Sequence, residues 1–174
     1  MEKKFELTDK FVFNTFGIKL FQIKCTKSFK YAKEGDLGGY VEKDENLDQE
    51  SDAWVSGNAQ VSGNAQVSGN ARVSGNAQVY GDAQVYGDAQ VYGDADIEND
   101  NNHCGFDCFG SCNRHTHAYL TKDNKVEITC GCFRGSIEEF EKEVEKTHSG
   151  KIYEKQYKAI INVIKIKFGL TDLI

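Results

Sequence analysis

The sequence predicts a mainly β protein, in which a short β-helix has a β-hairpin at its N-terminal end and a small α+β unit at its C-terminal end. Three observations lead to this fold. An aliphatic residue returns every six positions from Val55 to Ile97, and an alanine lies two positions before each one. Gly-Asn or Gly-Asp separates successive repeats, and these residue types form tight corners. An alternating apolar stretch precedes the repeats, and two helical patterns follow them.

Each six-residue repeat is interpreted as one short strand and one corner. Alanine and valine are two positions apart, so in a strand their side chains point to the same face and fill a narrow interior. A helix has a period of 3.6 residues and would be destabilised by a glycine in every repeat. The repeat therefore predicts a wound sheet over residues 35–98. Counting back in sixes places Leu37 in the valine register, and Val41 and Leu47 in the alanine register.

Residues 1–34 are predicted to form a hairpin that caps the N-terminal end of the β-helix. Apolar alternation predicts strands near 11–14 and 18–25 on either side of a turn at residues 14–17, with a preceding strand at Phe5 and Leu7. A cap is expected here because an uncovered solenoid end would expose unpaired backbone groups.

Residues 99–174 are predicted to form an α+β unit of one hairpin and two helices. The Gly-, Asn- and Asp-rich stretch 98–115 predicts a loop, and strands are expected at 115–121 and 126–130. Ser136 and Glu139 form a capping box that opens the first helix. Apolar residues at helical spacing from Tyr153 to Phe168 predict the second helix.

The aliphatic-small-x-x-small-x pattern resembles that of the hexapeptide-repeat, left-handed β-helix proteins. This resemblance implies three repeats per coil, stacking of residues 18 apart, and a homotrimer with parallel axes. The acidic bridge before the repeats, the repeats themselves and the CGCF motif at residues 130–133 are also similar to small bacteriophage accessory proteins. Those proteins are uncharacterised and are often labelled transferases from their β-helix alone.

Charge is unevenly distributed along the chain. The formal net charge is −6, but residues 35–98 alone carry twelve acidic residues against Lys43 and Arg72. Such a surface repels phosphates, which argues against direct nucleic-acid binding. It could instead attract a basic protein surface, and the alternative is that it simply forms a soluble outer face. No apolar run of about 18 residues occurs, and an apolar leader is missing from the start. We therefore expect a cytoplasmic protein without membrane contact, located in the host cytoplasm if a phage encodes it, with cysteines as thiols or metal ligands.

Cysteine and histidine residues are concentrated between residues 103 and 132, where thiolate and imidazole groups could bind zinc. The spacing differs from that of a standard zinc finger, so packed thiols in a loop are the alternative. A second alternative is a nucleophilic site in which Cys130 or Cys132 faces a histidine across the hairpin. The candidate metal ligands, beside His103, are Cys104, Cys108, Cys112, His115, His117, Cys130 and Cys132.

A second set of residues predicts an anion site, because glycines and hydroxyls accompany two arginines and a helix N-terminus. The alternative is that this segment merely caps the helix. The candidate ligand-binding residues are Ser111, Asn113, Arg114, Thr116, Arg134 and Ser136.

Three tyrosines, Tyr80, Tyr86 and Tyr92, replace serines of the preceding coil. Their six-residue spacing puts one on each face of the β-helix. Exposed aromatic residues are favoured at interfaces, so this ring predicts a trimer contact or a docking site for the C-terminal segment.

Together these features predict a non-enzymatic binding protein. Hexapeptide acyltransferases use a histidine at a coil edge, and the repeats contain no histidine, which disfavours that activity. The resemblance to phage proteins implies an antagonist of a bacterial defence system. In one version, a pocket at a subunit boundary near the C-terminal arginines sequesters a phosphate-bearing signal nucleotide. In another, the acidic coils occlude a basic defence protein, and a structural virion component is a third possibility.

Overall fold

A computed structural model of the chain describes residues 3–170. These residues divide into two compact units, with the boundary between Asp100 and Asn101. The first unit is a β-solenoid of three turns with an N-terminal hairpin, and the second combines a four-stranded antiparallel sheet with two helices. The predicted mainly β fold, with its β-helix, hairpin and two C-terminal helices, is confirmed.

The N-terminal hairpin continues one face of the solenoid. Strands β1 (Phe5–Phe13) and β2 (Lys19–Cys25) pair antiparallel, and β2 pairs antiparallel with β3 (Leu37–Val41). Phe5 begins β1 itself and does not form a separate strand, although the register of β1 shifts between Leu7 and Phe11.

The solenoid consists of two-residue strands that stack in parallel on three faces. The first face continues from β3 through β5, β8 and β11; the second is formed by β4, β7 and β10, and the third by β6 and β9. The valines and alanines between Ala53 and Ile97 fill the interior and are at most 3% exposed. The strands are β4 (Trp54–Val55), β5 (Gln60–Val61), β6 (Gln66–Val67), β7 (Arg72–Val73), β8 (Gln78–Val79), β9 (Gln84–Val85), β10 (Gln90–Val91) and β11 (Asp96–Ile97).

The first coil does not follow the six-residue count, so its predicted register is wrong. Val41 pairs with Val61 and Leu47 with Val67, which places both in the valine register, whereas Leu37 is 58% exposed. Both pairs are 20 residues apart instead of 18, because two extra residues lie between Leu47 and Val55. The insertion falls in a corner that follows a 3-10 turn, Asp44–Asn46, where extra length does not interrupt a strand.

The inserted corner also secures the N-terminal strand. The Gln49 side chain accepts hydrogen bonds from the backbone N–H groups of Lys4 and Phe5 and donates to the Phe5 carbonyl. The Lys4 ammonium donates to the carbonyls of Ser51 and Ala53. The insertion therefore supplies partners for backbone groups at the start of β1.

A short 3-10 turn, Asp100–Asn102, includes the unit boundary. The strands of the second unit are β12 (His103–Phe109), β13 (Arg114–Leu120), β14 (Val126–Cys130) and β15 (Phe133–Ser136). The predicted hairpin is β13 and β14. The loop predicted over residues 98–115 is wrong for residues 103–109, because these form β12 and pair antiparallel with β13. The Gly and Asp content of β12 is typical of a loop, although its residue types alternate as they do in a strand.

Helices α1 (Ile137–His148) and α2 (Ile152–Lys167) pack on one face of this sheet. The Ser136 hydroxyl accepts from the Glu139 N–H, and the Glu139 carboxylate accepts from the Ser136 N–H, so the predicted capping box is confirmed. The core joins Ala118 and Ile128 of the sheet to Phe140 and Ile164 of the helices. In the described part of the chain, no helix is both long and apolar enough to cross a membrane.

Candidate functional sites

The pleat of the C-terminal sheet separates the predicted cysteine and histidine ligands. Cys130 belongs to the core beneath the helices, and Cys104 packs against that core. In the β13–β14 register, Cys130 lies opposite Thr116, whereas His117 lies opposite Thr129. Adjacent residues of a strand point to opposite faces, so the expected approach of Cys130 to a histidine across the hairpin does not occur.

All six cysteines are free thiols. Cys104 is half-buried, and burial raises the pKa of its thiol to about 11. The buried Cys130 sulfur accepts from Thr116 Oγ1 at 3.3 Å and lies 3.7 Å from the Tyr157 hydroxyl. The thiols of Cys108, Cys112 and Cys132 are exposed; Cys108 lies near the end of β12, and the other two lie in turns between strands.

Three of the four histidines form a cluster on the sheet face away from the helices. His103 Nδ1 and His117 Nε2 are 3.0 Å apart, and the ring centroids of His115 and His117 are 5.7 Å apart. His115 Nδ1 is 2.5 Å from an Asp107 carboxylate oxygen. Within residues 3–170, no three His, Cys, Asp or Glu side chains are already gathered closely enough to hold a metal ion.

The same face continues into an acid-centred network. The Tyr119 hydroxyl donates to Glu127 Oε1, and the Arg134 guanidinium donates to both carboxylate oxygens of Glu127, at 2.5 and 3.1 Å. Arg134 therefore has a fixed carboxylate partner. The negative charge of Glu127 reduces the attraction of the Arg134 guanidinium for an anionic ligand.

The residues of the predicted anion site lie in three places. Ser111, Asn113 and Arg114 share the β12–β13 turn, where Asn113 has a φ of 48° and the Arg114 side chain packs beside Gly131. Thr116 is fully buried at Cys130. Arg134 pairs with Glu127, as described above.

Ser136, the last residue of this predicted set, is the N-cap of α1, and its hydroxyl also donates to the Glu138 carboxylate. The structure thus brings together only the three turn residues of the set.

The corners of the solenoid form ladders of amides and carboxylates. The side-chain amide of Asn64 donates to Asp82 at 3.0 Å, and that of Asn70 donates to Asp88 at 2.9 Å. At the remaining corner, Asn58 donates to Asn76 and Asn76 to Asp94, both at 3.3 Å. All three aspartates are exposed, so the last coil presents one oriented carboxylate at each of its three corners.

The three tyrosines do lie on three different faces, but their surroundings differ. Tyr80 packs on Phe16 of the hairpin turn with ring centroids 5.3 Å apart, and burial, together with Asp96, raises its pKa to about 12. Tyr92 donates to Gln90 and lies beneath the Arg72 guanidinium. Tyr86 is 64% exposed.

Asp107 and Gly105 are not among the site residues predicted from the sequence, and His103 is named there only beside the candidate metal ligands. The signal that could have found them is the spacing of His103, Gly105 and Asp107 at every second position, which puts all three on one face if residues 103–109 are a strand. The composition of that stretch predicted a loop instead, so the alternation was not used.

Comparison with known proteins identifies the repeat. Residues 65–81 match the family model described as the YdcK beta solenoid repeat. No curated protein matches the chain. With the three turns of the structure, the match identifies the chain as a β-solenoid repeat protein.

Proposed function

We propose that this is a non-enzymatic binding protein whose acidic solenoid covers a basic surface of a partner protein. The supporting observation is the set of three exposed carboxylates, Asp82, Asp88 and Asp94, at the corners of the last coil. Each accepts an amide hydrogen bond from the coil below, and that bond restricts where the carboxylate points. Oriented charges favour a complementary cationic surface over a diffuse counter-ion cloud.

The rest of the solenoid offers little positive charge to offset these acids. Residues 35–98 carry twelve acidic residues and two basic ones. One of the two, Arg72, places its guanidinium over the rings of Tyr31 and Tyr92, at 5.2 and 5.6 Å from the ring centroids. The negative field thus extends over the prism, which favours fast, salt-sensitive association with a basic partner.

The resemblance to phage accessory proteins suggests which partner this is. A bacterial defence protein that reads nucleic acid has a basic surface, and an acidic prism would occupy that surface as a phosphate backbone does. In this proposal the phage-type protein acts as an antagonist by occlusion, without catalysis and without contacting nucleic acid itself.

The nucleotide-sequestering alternative depends mainly on Arg114, because Arg134 is already paired with Glu127. A native mass spectrum of the protein taken from a bacterial lysate tests it. Added mass of nucleotide size that disappears in Arg114→Gln would support this alternative. A spectrum of the protein without added mass would rule out the nucleotide-sequestering alternative.

The charge proposal is tested by capturing proteins from a bacterial lysate on the immobilised full chain at about 0.05 M and about 0.5 M salt, since screening shortens the Debye length severalfold over this range. The matched variant changes Asp82, Asp88 and Asp94 to Asn. The preceding coil already carries Asn at these corners, so the ladders persist while the formal charge falls from −6 to −3.

We expect the wild-type chain to retain basic proteins at low salt, to lose them at high salt, and to retain much less as the triple variant. Capture of proteins without a basic surface, or equal capture by the triple variant, would overturn the proposal. A structural virion role predicts instead that the protein is present in purified particles.

A further inference from the structure

We infer that the C-terminal sheet carries a divalent transition-metal site formed by the imidazoles of His103, His115 and His117. The site belongs to the second unit alone and is independent of the acidic solenoid. It also differs from the set of ligands that the sequence predicted, because it contains no cysteine.

The first observation is the spacing of two ring nitrogens. His103 Nδ1 and His117 Nε2 are 3.0 Å apart. With metal–nitrogen bonds of about 2.0–2.1 Å, two imidazole nitrogens on one ion lie about 3.0–3.4 Å apart, depending on the angle at the metal. In this structure the contact is a hydrogen bond, in which one of the two facing nitrogens donates. Metal binding requires that proton to move to the other nitrogen of its own ring. His103 then carries its proton on Nε2 and His117 on Nδ1, and both facing nitrogens present a lone pair.

The second observation is a buried nitrogen without a partner. The side chain of His115 is only 10% exposed, and its Nε2 has no hydrogen-bond partner among the residues that the structure describes. Its Nδ1 faces the Asp107 carboxylate at 2.5 Å, so Nδ1 carries the proton and Nε2 presents a lone pair. An unsatisfied buried polar atom costs free energy, which a metal ion at Nε2 would recover. A carboxylate on the far nitrogen is also the usual outer partner of a metal-binding histidine.

The third observation is the space that Gly105 leaves between these rings. A Cβ atom at Gly105 would lie 2.6 Å from His115 Cε1, 2.9 Å from His115 Nε2 and 3.7 Å from His117 Cδ2. Gly105 is not among the glycines with positive φ, so its backbone does not require glycine. Glycine is therefore needed at this position only because a side chain would not fit. The ring of His115 occupies that space beside His117.

Within residues 3–170, the three imidazoles are not close enough to one another to bind one ion together. Metal binding therefore requires the His115 ring to move toward His103 and His117. Three imidazole donors suit Zn²⁺, Cu²⁺, Ni²⁺ or Fe²⁺ and leave a fourth position for water. The thiols of Cys104 and Cys130 belong to the opposite, helix-covered side of the sheet, so they are not ligands of this ion.

The test is a titration of the chelator-treated full chain with Co²⁺ alone, followed in the visible spectrum, and then displacement by Zn²⁺. We expect one ion per chain and d–d bands without thiolate charge transfer. His115→Asn keeps a donor toward Asp107 but removes Nε2, and should weaken binding by more than about 100-fold; Asp107→Asn, which removes only the outer partner, should weaken it about 10- to 100-fold.

His148→Asn is the matched control, because His148 stacks on Tyr157 outside the cluster and its loss should leave the affinity unchanged. Because His115 Nε2 has no hydrogen-bond partner in the described part of the chain, His115→Asn is expected to stay folded even if His117→Asn does not. Thiolate bands, no saturable binding, or wild-type affinity in His115→Asn would each overturn the inference.

Discussion

Asn70 and Asp88 occupy the same corner of consecutive coils, and the Asn70 amide donates a hydrogen bond of 2.9 Å to the Asp88 carboxylate. This pair explains why the repeat changes from Gly-Asn to Gly-Asp near its end. A residue inside a ladder has to donate to the next coil, which only an amide can do. The last member needs only to accept, so a carboxylate serves there and adds charge to the surface.

Asn70→Asp should lower the free energy of unfolding by about 1 kcal/mol near neutral pH, because it replaces a hydrogen bond with two facing carboxylates. Urea unfolding at pH 7 measures the change. The loss should shrink near pH 4, where one of the two carboxyl groups protonates. Asp88→Asn is the control and should be nearly neutral, since an amide oxygen also accepts. An equal loss in both variants would contradict the ladder.

Gly69→Ala should destabilise the solenoid more than Gly87→Ala. The φ angles of Gly69 and Gly87 are 69° and 66°, so an alanine at either position has a similar left-handed strain of about 1–2 kcal/mol. A Cβ at Gly69 would lie 2.9 Å from the Gly87 nitrogen, whereas a Cβ at Gly87 would have no atom of the described residues within 4 Å. We expect the Gly69 variant to lose a further 1–3 kcal/mol or so from overpacking.

Thermal and urea unfolding of the two variants, measured side by side, give the difference directly. Because the backbone strain cancels, any remaining gap reports the close stacking of consecutive corners. Equal stability of the two alanine variants would show that the corners relax without cost.

The buried ammonium of Lys4 should make stability depend on alkaline pH. Lys4 is 6% exposed, and its burial lowers its pKa to about 8, whereas the unfolded chain keeps the ordinary value of 10.5. Between these two values the unfolded state binds more protons, so the contribution of Lys4 to the free energy of unfolding rises with pH. The neutral amine still has two N–H groups for the carbonyls of Ser51 and Ala53.

The measurement is the difference in unfolding free energy between the wild-type chain and Lys4→Met from pH 8 to pH 10.5. It should move in favour of the wild type as pH rises. Lys3→Met is the contrasting control, because its hydrogen bond to Asp44 raises the pKa of Lys3, and its stabilising contribution is lost as pH rises further. A flat difference for Lys4→Met would mean that its ammonium is hydrated in solution.

Ser136→Ala should lower the free energy of unfolding by about 1 kcal/mol, because the N–H of Glu139 loses its capping acceptor. Ser136→Asp restores a capping acceptor and should return most of that stability. Chemical unfolding of the three chains checks the order. If Ser136 served an anion and not the helix, the alanine variant would keep its stability.

Several features followed from local sequence because their determinants are local. The solenoid interior follows from side-chain alternation within each repeat, and the capping box at Ser136 needs only residues three positions apart. The two C-terminal helices follow from apolar spacing within a single segment. Each of these depends on neighbours in the chain, and the structure confirms them.

The remaining features depend on which distant strands pair and in which register, and only the tertiary structure decided these. The first coil places Leu47 over Val67 because a corner holds two extra residues, which no count of six reveals. Residues 103–109 become a strand because β13 offers an edge to pair with. That pairing then separates Cys130 from His117 and gathers the histidines around Gly105, since a strand sends neighbouring side chains to opposite faces.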